Sequence, residues 1–174
     1  MGKRSTGKFE RNPRDFYPTP YEAVRPLKLH IPKGSTFTEP CAGDGSLIRH
    51  LEKYGDLKCL KSFDIAPQCS NITVGDALKM TECESDFIVT NTPWKPDILH
   101  PMIEKFRVLA PTWLLLYADW MHTKQAIPYL RYCHIIISVG RVKWIADSKS
   151  TGMDNCCWYL FREDPGLTVF YSRL

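Results

Sequence analysis

The chain has 174 residues, 44% apolar and 24% charged, and a formal net charge of +4. That is enough chain for one core of sheet and helices, in a composition ordinary for a globular protein. No apolar run approaches the roughly 18–20 residues of a membrane span, and the basic N-terminus has no apolar segment behind it, which argues against a secretory leader.

Residues 1–14 carry Lys3, Arg4, Lys8, Arg11 and Arg14 against Glu10, so the whole formal excess of +4 sits in this arm. A segment so basic and so poor in apolar residues reads as a flexible arm able to meet phosphates without sequence preference, or simply as a solubilising tail. Residues 15–174 read as a single catalytic domain with no separate target-recognition domain.

"STFTEP" (35–40) predicts a first strand, "CAGDGS" a turn, and "LIRHLEKYG" (47–55) a helix ending at its glycine. "LKSFDI" (60–65), "NITVGDA" (71–77) and "DFIVTN" (86–91) read as three further strands. Apolar residues recur at helical spacing from Ile98 to Val108, and "TWLLLYA" (112–118) is the continuous apolar run of a buried parallel strand. A short helix near 123–131 leads to strands "HIIISVG" (134–140), "CCWYLF" (156–161) and "LTVFY" (167–171). The alternation predicts an α/β fold, a mostly parallel sheet with helices on both faces. The closing strands lack crossover helices, which predicts an antiparallel strand near the C-terminus, placed at the sheet edge.

Seven cysteines (41, 59, 69, 83, 133, 156, 157) are scattered and odd in number, as free thiols in a reducing cytoplasm would be. Adjacent Cys156 and Cys157 should face opposite sides of their strand. No spacing indicates a metal site.

Polar groups close four consecutive strands. Glu39 ends the first, before a turn in which Gly43 and Gly45 let the backbone approach a ligand. Asp64 ends the second, placed to accept hydrogen bonds from ribose hydroxyls; Asp76 follows the third, within reach of an adenine amino group; Asn91 ends the fourth. Any of these could be a capping residue alone, but together they would line one edge of one sheet.

Over residues 15–161 the chain resembles the class I S-adenosylmethionine-dependent DNA adenine (N6) methyltransferases. "DFYPTP" (15–20) is similar to the family's N-terminal motif, "EPCAGDG" (39–45) to its glycine-rich motif, "FDI" (63–65) to the ribose-binding segment, "GDAL" (75–78) to the segment beside the cofactor adenine, and "NTPW" (91–94) to the catalytic Asn-Pro-Pro-aromatic tetrapeptide. "GRVKWI" and "NCCWYLF" match the late segments flanking the target base more weakly. The resemblance implies S-adenosyl-L-methionine as cofactor, held by Tyr17, Thr19, Glu39, Cys41, Gly43, Gly45, Asp64, Ile65, Asp76, Ala77 and Asn91. It implies Asn91, Thr92, Pro93 and Trp94 as the catalytic turn. The adenine amine is a poor nucleophile because its lone pair is delocalised into the ring. The Asn91 amide oxygen and the residue 92 carbonyl would accept hydrogen bonds from it, and Trp94 would stack on a base swung out of the duplex.

Thr92 departs from the family's proline. Its carbonyl survives; what goes is one fixed φ and the restriction a proline places on Asn91. It reads as a tolerated variant, the alternative being slowed, altered or lost catalysis. Lys95, Arg141, Lys143 and Trp144, with Lys149 in the same late loop, are the candidate substrate contacts, although the lysines and Arg141 could be solvated charges and Trp144 a packed ring. The expected partner is DNA, double-stranded, read with short or relaxed sequence preference or with a partner subunit's help. RNA adenine, cytosine N4 and protein glutamine remain alternative acceptors, and a silent cofactor- or DNA-binding module an alternative of another class. A compact enzyme of this kind would suit a bacteriophage or mobile element, acting in a bacterial cytoplasm.

Overall fold

The computed structural model describes residues 16–145 and 151–173. The basic arm and Lys149 lie outside the described residues. Eight strands form one sheet in the order β3-β2-β1-β4-β5-β7-β6-β8. They are β1 (Thr36–Glu39), β2 (Lys58–Asp64), β3 (Thr73–Val74), β4 (Phe87–Thr90), β5 (Thr112–Tyr117), β6 (Cys133–Arg141), β7 (Asn155–Phe161) and β8 (Val169–Tyr171). The helices are α1 (Tyr21–Val24), α2 (Ser46–Gly55), α3 (Pro96–Leu109) and α4 (Ile127–Leu130).

Only β7 runs against its neighbours, β5 and β6; every other pair is parallel. The expected antiparallel strand is therefore present, but inside the sheet and not at its edge. The edge belongs to β8, parallel to β6 through Ile135↔Val169 and Ile137↔Tyr171. Burial explains the placement: Cys156 through Phe161 are all buried, so the strand has neighbours on both sides and both faces, whereas Val169, Phe170 and Tyr171 are exposed.

The two faces carry separate cores. Leu47 and Leu51 of α2, with Ala23, Val24 and Leu27, pack on Phe37, Val89, Trp113, Leu115, Cys156 and Trp158. Leu99, Met102, Ile103 and Phe106 of α3 pack on Ile88, Leu114, Leu116, Cys157 and Tyr159 on the other face. Cys156 and Cys157 do face opposite ways. Each fully buried Leu or Ile contributes about 1.5–3 kcal/mol, and α3 follows this stripe from an N1 proline, which has no N–H to leave unpaired.

Two elements are shorter than the sequence predicts. The third strand shrinks to Thr73–Val74 because the chain turns at Gly75 and Asp76, where the Asp76 carboxylate accepts from the Leu78 amide (2.9 Å) and opens a 3-10 turn over Ala77–Lys79. The helix expected at 123–131 divides into a 3-10 turn at Lys124–Ala126, capped by Thr123, and the single turn α4 containing Pro128. Among the described residues no long helix joins β2 to β3 or β3 to β4. β2 and β3 are therefore largely uncovered, whereas β5 and β7 are buried almost throughout.

Candidate active site

β1 leads outward to β2 and β3, and the chain then returns to place β4 on the other side of β1. Such a reversal opens a crevice at the carboxyl ends of the strands. Following that edge across the sheet, the residues at or just beyond the strand ends are Asp76, Asp64, Glu39, Asn91, Tyr117, Asn155, Arg141 and Arg173. Acids occupy the β3-β2-β1 side, a carboxamide sits at the reversal, and cations end the β6-β8 side.

On the acidic side the turn after β1 is tightly tied. Asp64 accepts from the Gly43 amide (2.8 Å) and the Ala66 amide (2.7 Å), so each of its oxygens already holds one main-chain bond and keeps further acceptor capacity. The Gln68 amide bonds the Gly43 carbonyl at 2.9 Å. Gly43 has φ +51°, and a Cβ there would lie 2.6 Å from the Phe16 ring. Phe16 thus lays the N-terminal segment directly on the glycine turn. Gly45, at φ +76°, starts α2, where Asp44 receives the Ser46 amide and hydroxyl and pairs with Arg49 at 3.3 Å.

Glu39 is 1% exposed, and its Oε2 has no hydrogen-bond partner among the described residues. Burial, then repulsion from Asp64 and Asp44, holds its carboxyl well above the ordinary carboxylate range. The Thr90 hydroxyl, at the end of adjacent β4, is buried beside the Cys41 thiol. A buried carboxyl oxygen left without a partner at a strand end is what an incomplete site looks like. A cationic, hydrogen-bonding ligand would satisfy it and favour the Glu39 carboxylate. Burial pushes the nearby Cys41 thiol up to about 12, so it stays protonated and a poor nucleophile at neutral pH.

At the reversal, the Asn91 amide nitrogen donates to the Thr19 hydroxyl at 3.1 Å. Thr92 is 3% exposed and its hydroxyl donates to the Met102 sulfur of α3 at 2.9 Å. A buried side chain anchored in the helix below thus restrains the residue that a proline ring would have restrained. Pro93 follows, and the Trp94 indole N–H donates to the Leu115 carbonyl of β5 at 3.0 Å. That bond pins Trp94 between the two cores, 5.6 Å from the Tyr117 ring and 6.0 Å from Trp144. Tyr17 extends the group, 6.4 Å from Trp144. The aromatic wall beginning at Trp94 therefore draws on four segments of the chain.

The remaining predicted residues lie farther out. Lys95 is exposed ahead of α3, and Ile65 is 66% exposed. Ala77 is buried behind Asp76. Arg141 and Lys143 are exposed at and just past the end of β6. Tyr117 and Arg173 were missed from sequence. Tyr117 could have been found as the polar-tipped end of the apolar run at 112–117. Arg173 could not, because only the parallel pairing of β8 carries it to this edge, where its guanidinium lies against Gly140 in the space a Cβ would fill.

No protein-family model matches the sequence, and no curated protein does either. Solved structures do match. A protein assigned to the class I S-adenosylmethionine-dependent methyltransferases from Listeria monocytogenes aligns with a TM-score of 0.51 at 12% identity, covering 87% of this chain and 61% of its own. A dimethyladenosine transferase from Plasmodium falciparum gives 0.55 at 18%, covering 84% and 62%. A protein assigned as the modification subunit of a type I restriction enzyme from Vibrio vulnificus gives 0.56 at 14%, covering 90% and 47%. The chain spans about half to three-fifths of the length of these proteins. With the strand order and the site edge described above, the likeness identifies the fold: an α/β, Rossmann-like class I methyltransferase fold.

Proposed function

We propose that the protein transfers a methyl group from S-adenosyl-L-methionine to the exocyclic N6 amine of adenine in DNA, with short or relaxed sequence preference. The observation carrying this reading is the graded edge of the sheet, with the Asn91 carboxamide between an acidic end and an aromatic, basic one.

The acidic end suits the cofactor. Glu39, orphaned and buried, would take its ammonium group; Asp64 retains acceptor capacity for ribose hydroxyls; Asp76 keeps one carboxylate oxygen beyond the one that caps the 3-10 turn. Gly43 and Gly45 supply the close backbone approach, and Tyr17, Cys41, Ile65 and Ala77 complete the surround. When bound, the cofactor supplies an electrophilic methyl group on a sulfonium centre.

Asn91 accepts one N–H of the substrate amine through its amide oxygen, and the Thr92 carbonyl accepts the other. Drawing both hydrogens out of the ring plane restores the nitrogen lone pair as a nucleophile. Trp94 and Trp144, with Tyr117, give the base a surface to stack on. Holding amine and methyl carbon in line about 3–3.5 Å apart does much of the rest. The N-protonated product is acidic and loses its proton to water, so no strong base is needed beforehand. Lys95, Arg141, Lys143 and Arg173 meet backbone phosphates. The Vibrio modification subunit favours DNA as the acceptor; the dimethyladenosine transferase favours a second reading, adenine in RNA, by the same amine chemistry.

Nucleoside mass spectrometry on unmethylated duplex DNA and on RNA, incubated with the cofactor and either the wild type or Asn91→Ala, tests the reading. N6-methyladenine in DNA from the wild type alone is expected. Methyladenine confined to RNA would replace the substrate, and cofactor binding without any modified base would leave a silent module.

A further inference from the structure

The bond between Asn91 and Thr19 joins residues 72 positions apart and has a use of its own. We infer that Thr19 is a positioning residue that holds the Asn91 carboxamide with its oxygen toward the reacting amine. This rests on the function proposed above.

A carboxamide has two nearly equivalent orientations about its last torsion, which is soft and roughly two-fold. Only one is useful. With the oxygen forward the group accepts from the substrate amine; with the NH2 forward it presents a donor to a donor. Thr19 Oγ1 lies 3.1 Å from Nδ2, so the amide nitrogen is occupied and Oδ1 is left for the substrate. A hydroxyl can play either part in such a bond, so the contact first fixes the plane and reach of the amide. Its donor sense then sets which atom faces the crevice.

Thr19 is itself well held. It is 5% exposed and stands between Pro18 and Pro20, each with φ fixed by its ring. The Pro20 carbonyl accepts from the Ala23 amide at 3.0 Å, opening α1. The Ala23 carbonyl in turn accepts from the indole of Trp158, a fully buried β7 residue, at 2.7 Å. A rigid path therefore runs from the middle of the sheet, through α1, to the amide. The resemblance to known motifs assigned Thr19 to the cofactor; the hydrogen bond instead directs it to Asn91.

The two roles separate experimentally. Thr19→Val keeps the shape and removes the hydroxyl; Thr19→Ser keeps the hydroxyl. Under single-turnover conditions, Thr19→Val should slow methyl transfer about tenfold to a hundredfold, with the cofactor Kd from calorimetry changed less than about twofold, and Thr19→Ser should stay within about threefold of wild type. A parallel loss of cofactor affinity and rate would return Thr19 to cofactor binding and overturn the inference, as would a Thr19→Val enzyme of wild-type rate. A second readout needs no activity. The Asn91 side-chain NH2 resonances, assigned by their loss in Asn91→Ala, should shift and lose exchange protection in Thr19→Val but not in Thr19→Ser. Unmoved resonances would overturn the inference. Protected resonances in a wild type that methylates no nucleic acid would instead leave the hydrogen bond standing and remove the proposed reaction.

Discussion

The two ends of the sheet are built by opposite means. The β1-β2-β3 end has thin cover, a two-residue edge strand, and a site made largely of backbone: glycine amides, an aspartate bridging two main-chain N–H groups, an orphaned glutamate. The other end is deeply packed through β5, β7 and β6, out to the exposed edge strand β8, and its site is made of side chains, aromatic rings backed by the two cores and cations beyond them. A backbone-built site must hold its shape from local turn geometry, and its carboxylates suit a small cationic, polyhydroxylated ligand. A side-chain site on packed strands can offer flat apolar area and reach for phosphate, which suits a nucleobase and its chain. Asn91, at the reversal between them, can touch what each end holds.

The difference is broken most severely at Glu39. Its carboxyl sits above its ordinary value of 4.5 because burial, then Asp64 and Asp44, disfavour the charge. The folded state thus keeps a proton that the unfolded chain gives up. The associated stability is full below the ordinary value and is lost as pH rises through the raised one. Glu39→Gln has no such proton to lose, so its Tm without cofactor should exceed that of the wild type at pH 8, with the gap closing toward pH 4. Its affinity for S-adenosylmethionine should fall about ten- to a hundredfold, as expected for losing a hydrogen bond of about 1.5–3 kcal/mol to a charged group. Equal affinity in the variant would overturn the proposed role of Glu39 in holding the cofactor.

The basic end should respond to salt and not to pH. Arg141→Gln and Arg173→Gln should each reduce the magnitude of the slope of log K against log salt for duplex DNA by about 0.9, one phosphate contact apiece, and leave the cofactor Kd alone. Loss of affinity without a change in slope would mean that the arginines support the fold of the edge and touch no phosphate.

What could be read from sequence divides along the same line. The acidic end was legible because its groups belong to short contiguous motifs: Glu39 to Gly45, Phe63 to Ile65, Gly75 to Leu78 each fold locally. The turn from Asn91 to Trp94 was legible for the same reason. The basic end was legible only in part: Arg141, Lys143 and Trp144 follow a recognisable strand, whereas Arg173 reaches it only through the pairing of β8 with β6, which leaves no local signature. The misplaced antiparallel strand has the same origin. Strand direction followed from the missing crossover helix, but insertion of β7 between β5 and β6 depends on which face-filling residues find partners.

The smallest expected effect lies at the boundary, in Thr92. If its hydroxyl replaces a proline ring by bonding Met102, then Thr92→Val, equal in shape and branching, should lower stability by about 0.5–1.5 kcal/mol, the net worth of one buried hydrogen bond. The rate should barely change, because the main-chain carbonyl, the group proposed to meet the amine, is retained whatever the side chain. Denaturant unfolding and single-turnover rates read the two quantities separately. An unchanged midpoint would mean that burial and β-branching alone restrain the turn. A tenfold slower rate at unchanged stability would mean that the Oγ–Sδ bond sets where the carbonyl points, making Met102, on the far side of the sheet from the cofactor's glycine helix α2, a remote support of the reacting geometry.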